Sequence, residues 1–124
     1  MFWDEIKHFK KSEFDCKCGC GKNGMDEMFI RRLDSLRSNC GFPFIVSSGY
    51  RCREHNDRVH GSPQSTHLLG LGCDILISSA SKRLLFVDFS LSRMFRRIGI
   101  YPTFCHIDVA GIPQGKTSGI WWGE

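Results

Sequence analysis

The 124-residue sequence lacks any apolar run long enough to cross a bilayer; its longest stretches, such as 84–87, fall far short of the roughly 20 residues a spanning helix needs. It also lacks a run of five or six like charges, an internal repeat, a low-complexity tract and a Pro- or Ser-rich linker. These absences argue against a membrane span, a polyelectrolyte tail, a repeat array and a pair of tethered domains. The opening residues 1–10 place Trp3, Ile6 and Phe9 among charges, without the apolar core and small-residue cleavage site of a secretory signal, so none is expected. The excess of basic residues is small: 17 Lys and Arg against 13 Asp and Glu give +4. Arg31, Arg32 and Arg37, and the group Arg93, Arg96 and Arg97, read as solvated helix faces. The expectation is therefore a monomer with neither a nucleic-acid nor a membrane partner.

What the chain does have is 41% hydrophobic and 24% charged residues, the balance of one globular domain spanning 1–124. A chain of this size buries roughly two-thirds of the surface exposed when unfolded, so neither a disulfide framework nor a structural metal is obligatory. Seven cysteines are an odd number, which leaves at least one thiol free in a monomer. With no secretory signal, a reducing compartment is the default and no disulfide is expected.

Three stretches can be separated: a Cys-containing accessory segment over 1–24, a core over 25–110 and a tail over 111–124. In the core, Asn23 is placed to cap a helix over 25–39, with Met25, Phe29, Leu33 and Leu36 on one stripe and Gly41 as its stop. Residues 44–46 read as a short strand that turns at Ser47, Ser48 and Gly49, just before Arg51. Residues 52–72 show no helical or alternating period and read as a long loop, the usual place for a site. A buried strand is expected over 73–77, followed by a second helix capped by Ser79 or Ser81 and ended by Gly99. Leu84, Val87, Leu91, Met94, Phe95 and Ile98 would face inward. Over 104–109 the residues alternate, so that Cys105, Ile107 and Val109 face one way and His106 and Asp108 the other. In the tail, Trp121 and Trp122 could pack over the site or cover a sheet edge.

The chemistry concentrates in Ser65-Thr66-His67-Leu68-Leu69-Gly70-Leu71-Gly72-Cys73-Asp74, and in His106-Ile107-Asp108 some 30 residues later. Two imidazoles and a carboxylate suit zinc, which in catalytic sites takes three protein ligands and keeps one position open. His67, Asp74 and His106 would supply that set, with Gly70 and Gly72 giving the chain freedom to return between loop and strand. Asp74, between Cys73 and Ile75 in a buried strand, would be costly without a partner, and a cation is the simplest one.

Four ordered blocks carry a resemblance: Ser48-Gly49-Tyr50-Arg51, His55-Asn56, Ser65-x-His67-x-x-Gly70-x-x-x-Asp74, and Gly99-Ile100-Tyr101-Pro102 with His106-x-Asp108. Over about 25–110 the chain resembles the zinc D-alanyl-D-alanine carboxypeptidase family, which includes the L-alanyl-D-glutamate endopeptidases of phage endolysins and is related to the Hedgehog fold. The resemblance implies an α+β domain with a small antiparallel sheet and flanking helices, and zinc held by His67, Asp74 and His106. It implies hydrolysis of a peptide bond in the peptidoglycan stem peptide. Arg51 would steady the developing oxyanion, and Ser65 would contact substrate. Tyr50 and Asn56 are further candidates for substrate contact, Asn56 equally for shaping its loop. Better-known members carry an acidic residue three before the last histidine ligand, where this chain has Thr103. Thr103 cannot accept a proton from water, which leaves Asp108 as the nearest acidic base, or else as the partner that orients His106. The resemblance implies an endolysin-like protein, made in the cytoplasm and acting at the wall after release or as a virion component. The alternative is a non-catalytic zinc-bearing binding or structural module.

Cys16, Cys18 and Cys20 form a second cluster that could hold a metal with Cys40 or Cys52. Their C-x-C spacing is tighter than the C-x₂₋₄-C of structural zinc sites, which favours a reduced turn with buried or reactive thiols. Cys73 and Cys105 read as small core hydrophobes.

Overall fold

The computed structural model describes residues 1–124. Five strands form one sheet: β1 (Val46–Ser48), β2 (Gly72–Leu76), β3 (Arg97–Ile100), β4 (Phe104–Asp108) and β5 (Gly119–Trp122), in the order β1-β2-β4-β3-β5. The first four pair antiparallel with one another, as expected. The tail adds β5 parallel to β3 at the edge, a pairing that the alternation pattern could not disclose.

Two longer helices, α1 (Glu27–Cys40) and α4 (Ala80–Ser92), contact each other and cover one face of the sheet. α1 starts two residues later than expected. Its cap is Asp26, whose carboxylate accepts from the Phe29 amide at 2.9 Å, whereas Asn23 accepts from Met25 one turn too early. Gly41 stops the helix in the left-handed region at φ 74°. Phe29, Ile30, Leu33 and Leu36 pack against Ile75, Ile98, Cys105 and Ile107, so the helix stripe and the strand alternation meet in one core.

The second helix departs more from expectation. Ser79 caps it, but it ends at Ser92, and Met94 at φ 69° turns the chain so that Gly99 lies inside β3. Phe86 is its fully buried anchor, while Leu84 and Met94 lie largely in water and Leu91 is partly exposed. A stripe carried through the turn had joined two elements into one: Phe95 and Ile98 are buried, but from the turn and from β3. Arg97 accordingly leaves the solvated helix face assigned to it and sits in β3.

The loop over 52–72 contains two short helices, α2 (Arg53–Arg58) and α3 (Thr66–Leu69), capped by Cys52 and Ser65. Both are too short to display a period. The first strand is displaced from 44–46 to Val46–Ser48, where it pairs with β2 through a bulge at Ser48. The N-terminal segment carries two 3-10 turns, Phe2–Glu5 and Lys11–Phe14, and buries Phe9 and Phe14 in the core.

Candidate metal centre

A single row of residues crosses all five strands. Ser48 pairs with Asp74, Asp74 with His106, His106 with Gly99 and Gly99 with Trp121. The next row sets Gly72, Asp108, Arg97 and Gly119 side by side. Because side chains alternate across a sheet, the first row lies on the face opposite the apolar core, and Asp74, His106 and Trp121 from it line one cleft. The cleft measures about 290 Å³, and Arg51, Ser65, Thr66, Tyr101 and Lys116 contribute to its walls.

At its floor His67, Asp74 and His106 bring one donor atom each within 4.8 Å of the others, all three residues being buried. His67 Nε2 lies 3.3 Å and His106 Nδ1 2.8 Å from the same oxygen, Asp74 Oδ1. The remaining ring nitrogens fix the tautomers. His67 Nδ1 donates to the Gly49 carbonyl at 2.8 Å, so its Nε2 carries the lone pair. His106 Nε2 donates to Asp108 Oδ2 at 2.8 Å, which makes Nδ1 the ligating nitrogen once a cation replaces its proton. Two neutral imidazoles and one carboxylate, aimed at one point and held from behind, match the ligand preferences of zinc.

Burial alone would raise the Asp74 carboxyl, but hydrogen bonds from His106 and His67 hold it well below the usual carboxylate range. Burial works against the charged form of His106, yet its bonds to Asp108 and Asp74 push its pKa above the ordinary value. Asp108 is likewise kept low against burial, by His106 and then by Arg97. Asp108 is fully buried and both oxygens are engaged: Oδ1 takes Arg97 Nε at 2.7 Å and the Ala110 amide at 3.1 Å, while Oδ2 takes His106.

Arg51 reaches the cleft with Nη2 3.8 Å from Asp74 Oδ2. Its other nitrogens are anchored, Nε donating to Ser48 Oγ and Nη1 to Asn56 Oδ1, each at 3.3 Å. Asn56 is fully buried and donates to the Ser62 carbonyl, so it stands behind Arg51 instead of in the cleft. Tyr50 also lies outside the cleft, its ring pressed on Gly24, where an added Cβ would meet Cε1 at 2.8 Å. Ser65 lines the cleft and caps α3, accepting from the His67 amide at 3.2 Å. Thr103 is exposed on the turn between β3 and β4.

Sequence reasoning gave no role at the site to three neighbours: Thr66, whose Oγ1 is 3.3 Å from His106 Nε2, and Arg97 and Tyr101, which form a wall with Trp121. The Trp121 indole is 5.8 Å from the His106 ring, carries the Arg97 guanidinium at 4.8 Å and donates to Tyr101 Oη at 2.9 Å. Of the two roles left open for the tryptophans, Trp121 fills the first and β5 as a whole the second. The usable signal for Arg97 was Asp108 itself, a buried carboxylate on a strand face that needed a cation.

The cysteines divide. Cys73 and Cys105 lie fully buried in the core, as expected, and Cys40 is near α4, with Sγ 3.9 Å from the Leu85 carbonyl. Cys52 joins Cys16, Cys18 and Cys20, all four sulfurs lying within 4.8 Å of one another.

No curated protein matches the chain. The profile of a peptidase family, Peptidase M15, matches residues 7–110, a span that contains His67, Asp74, His106 and Arg51. With most of the sequence inside that match and a metal-type triad at the foot of its cleft, the chain belongs to the peptidase M15 family, a family of zinc-dependent peptidases.

Proposed function

We propose that this protein is a zinc peptidase acting as a monomer on the stem peptide of peptidoglycan, cleaving either a terminal D-alanine or an internal bond, in the manner of an endolysin. The observation that carries this reading is the convergence of His67, Asp74 and His106 on the floor of an open cleft, with an anchored Arg51 beside them. His67 Nε2, Asp74 Oδ1 and His106 Nδ1 would hold the ion, which supplies Lewis-acid polarisation of a carbonyl and activation of water. Arg51 sits where a carbonyl oxygen gaining charge would be stabilised, and Ser48 and Asn56 keep it aimed without cost at the moment of reaction. Ser65 offers its hydroxyl to the bound peptide from the cleft wall. Arg51 and Lys116 give that wall a positive character suited to the carboxylates of a stem peptide.

Asp108 acts in this reading as a positioning residue and not as the base, because both oxygens are occupied and neither meets solvent. It fixes His106 in the tautomer that presents Nδ1. The place of action is the wall, reached after release from the cytoplasm or on a virion.

A second reading is favoured by one observation. Asp74 and Asp108 are the two carboxylates lining the cleft and both are engaged, so a protein that binds wall peptide without turnover would show the same site. Mass spectrometry of fragments released from purified peptidoglycan separates the two. Zinc-loaded protein is expected to release fragments whose new termini name the bond, and His67→Ala to release none. Folded, zinc-containing protein that releases nothing from several wall types would establish the non-catalytic module.

A further inference from the structure

The thiol cluster lies outside the triad and nothing in the peptidase reading uses it. Cys16 Sγ is 3.4 Å from Cys18 Sγ and 3.7 Å from Cys52 Sγ, and Cys18 Sγ is 3.7 Å from Cys52 Sγ. Four thiolates at about 2.3 Å from a zinc ion stand at the corners of a tetrahedron with edges of about 3.8 Å. The three measured separations are close to that edge, and Cys20 completes a set whose sulfurs all fall within 4.8 Å.

The local backbone serves the same end. Gly19 and Gly21 adopt φ of 84° and 78°, conformations costly for other residues, and an added Cβ at either would meet nothing, so it is the turn itself that calls for glycine. Those turns overcome the tight C-x-C spacing by bringing Cys16, Cys18 and Cys20 to one side. Three backbone amides then donate to sulfur: Cys52 N–H to Cys16, His55 N–H to Cys52 and Lys22 N–H to Cys20, each at 3.4 Å. Amide donors aimed at sulfur are the outer partners that metal-bound cysteine ligands take up. A single disulfide would employ two of these sulfurs and leave two behind, whereas a tetrahedral zinc ion employs all four.

We propose that Cys16, Cys18, Cys20 and Cys52 bind a structural zinc ion that fastens the N-terminal segment to the loop carrying Arg51. Four protein ligands leave no open position, so this ion takes no part in chemistry. Its place explains its use. Cys52 directly follows Arg51, and on the other strand of the contact the Phe14 carbonyl accepts from the Tyr50 amide at 2.9 Å. Gly49 lies so close to Phe14 that an added Cβ would meet its Cα at 2.6 Å. The ion would lock this seam at the point where the loop bends toward the cleft.

The test uses the full chain purified in reductant without chelator. Native mass spectrometry with elemental analysis is expected to find two zinc ions in the wild type and one in His67→Ala. Cobalt-loaded His67→Ala is expected to show intense sulfur-to-cobalt charge-transfer absorption in the near ultraviolet. Cys20→Ser alters an exposed position and leaves the fold in place, so in the His67→Ala background it should lose the remaining ion while keeping its circular dichroism. Folded His67→Ala that binds no zinc, a cobalt spectrum without thiolate bands, or a disulfide among the four cysteines would each overturn the proposal. None of these measurements depends on turnover: a wall-inactive protein with a thiolate-bound ion supports it, and an active one without that ion refutes it.

Discussion

Asp108 divides its two oxygens between a histidine and an arginine, and that division sets what a substitution there does. Asp108→Asn keeps the shape but replaces the carboxylate behind His106 Nε2 with an amide, so zinc affinity should fall about 10- to 100-fold in a competition titration. The same change strands the Arg97 guanidinium, so a stability loss of about 3 kcal/mol is expected on chemical denaturation. Arg51→Ala should keep zinc and lower kcat about 10²-fold or more, since the loss falls where charge develops. The His106 shift gives a pH dependence with a definite sign. In the metal-free protein two carboxylates favour the charged form of His106 against burial; its folded pKa is raised, so the stability it contributes is complete below about 6.5 and fades as pH climbs through the folded value. Zinc must displace that proton, so the rise in melting temperature on adding zinc should grow from pH 6 to pH 8, a trend differential scanning fluorimetry reads directly. The pairing of His106 with Asp108 was legible because they alternate with Cys105 and Ile107, which puts both on one face. Arg97 was not legible, because its place on that face depends on where the preceding helix stops.

The edge strand β5 offers the clearest contrast between neighbouring residues. Trp121 points into the cleft, stacks against Arg97 and covers Gly99, where a Cβ would meet its ring at 2.7 Å; Trp122 is 74% exposed on the opposite face. Trp121→Ala is therefore expected to destabilise by about 3 kcal/mol, and Trp122→Ala to stay within about 0.5 kcal/mol, as equilibrium unfolding would show. Gly70 ends α3 at φ 69°, with its Cβ position driven into the Gly24 carbonyl, while its own carbonyl accepts from Asp26 at 2.9 Å. Gly70→Ala should cost more than about 2 kcal/mol, because the left-handed penalty adds to a backbone clash that cannot relax. Elements with a full period were readable in advance, notably α1, β2 and β4. The helices α2 and α3 were not, since four to six residues display no period and their caps resemble ordinary loop residues. Nor was β5, whose Gly-Ile-Trp-Trp alternates weakly and pairs in parallel with a strand about 20 residues back.

At the scale of the molecule the sheet divides two kinds of chemistry. Twenty buried apolar residues form one cluster that includes none of the triad, so the fold has its own support apart from the metal centre. His67→Ala should accordingly lose the zinc of the triad yet keep a single cooperative thermal transition, within about 3 kcal/mol of the wild type whose triad is empty. That partition was visible in the sequence of β4, where Cys105 and Ile107 alternate with His106 and Asp108, while the α+β class was what the family resemblance implied. The seam between the N-terminal segment and the Arg51 loop could not be read the same way, because it depends on thiols and glycines brought together over more than 30 residues of chain. Trp121, whose ring centroid lies 5.8 Å from that of His106, has an optical consequence. Its indole is close enough to the ligand His106 for a bound cobalt ion to drain its excited state, so emission should dim on cobalt loading and stay bright on zinc loading. The protein thus carries an internal lamp beside its own ion, and Trp121→Phe would switch that signal off while Trp3 and Trp122 continue to shine.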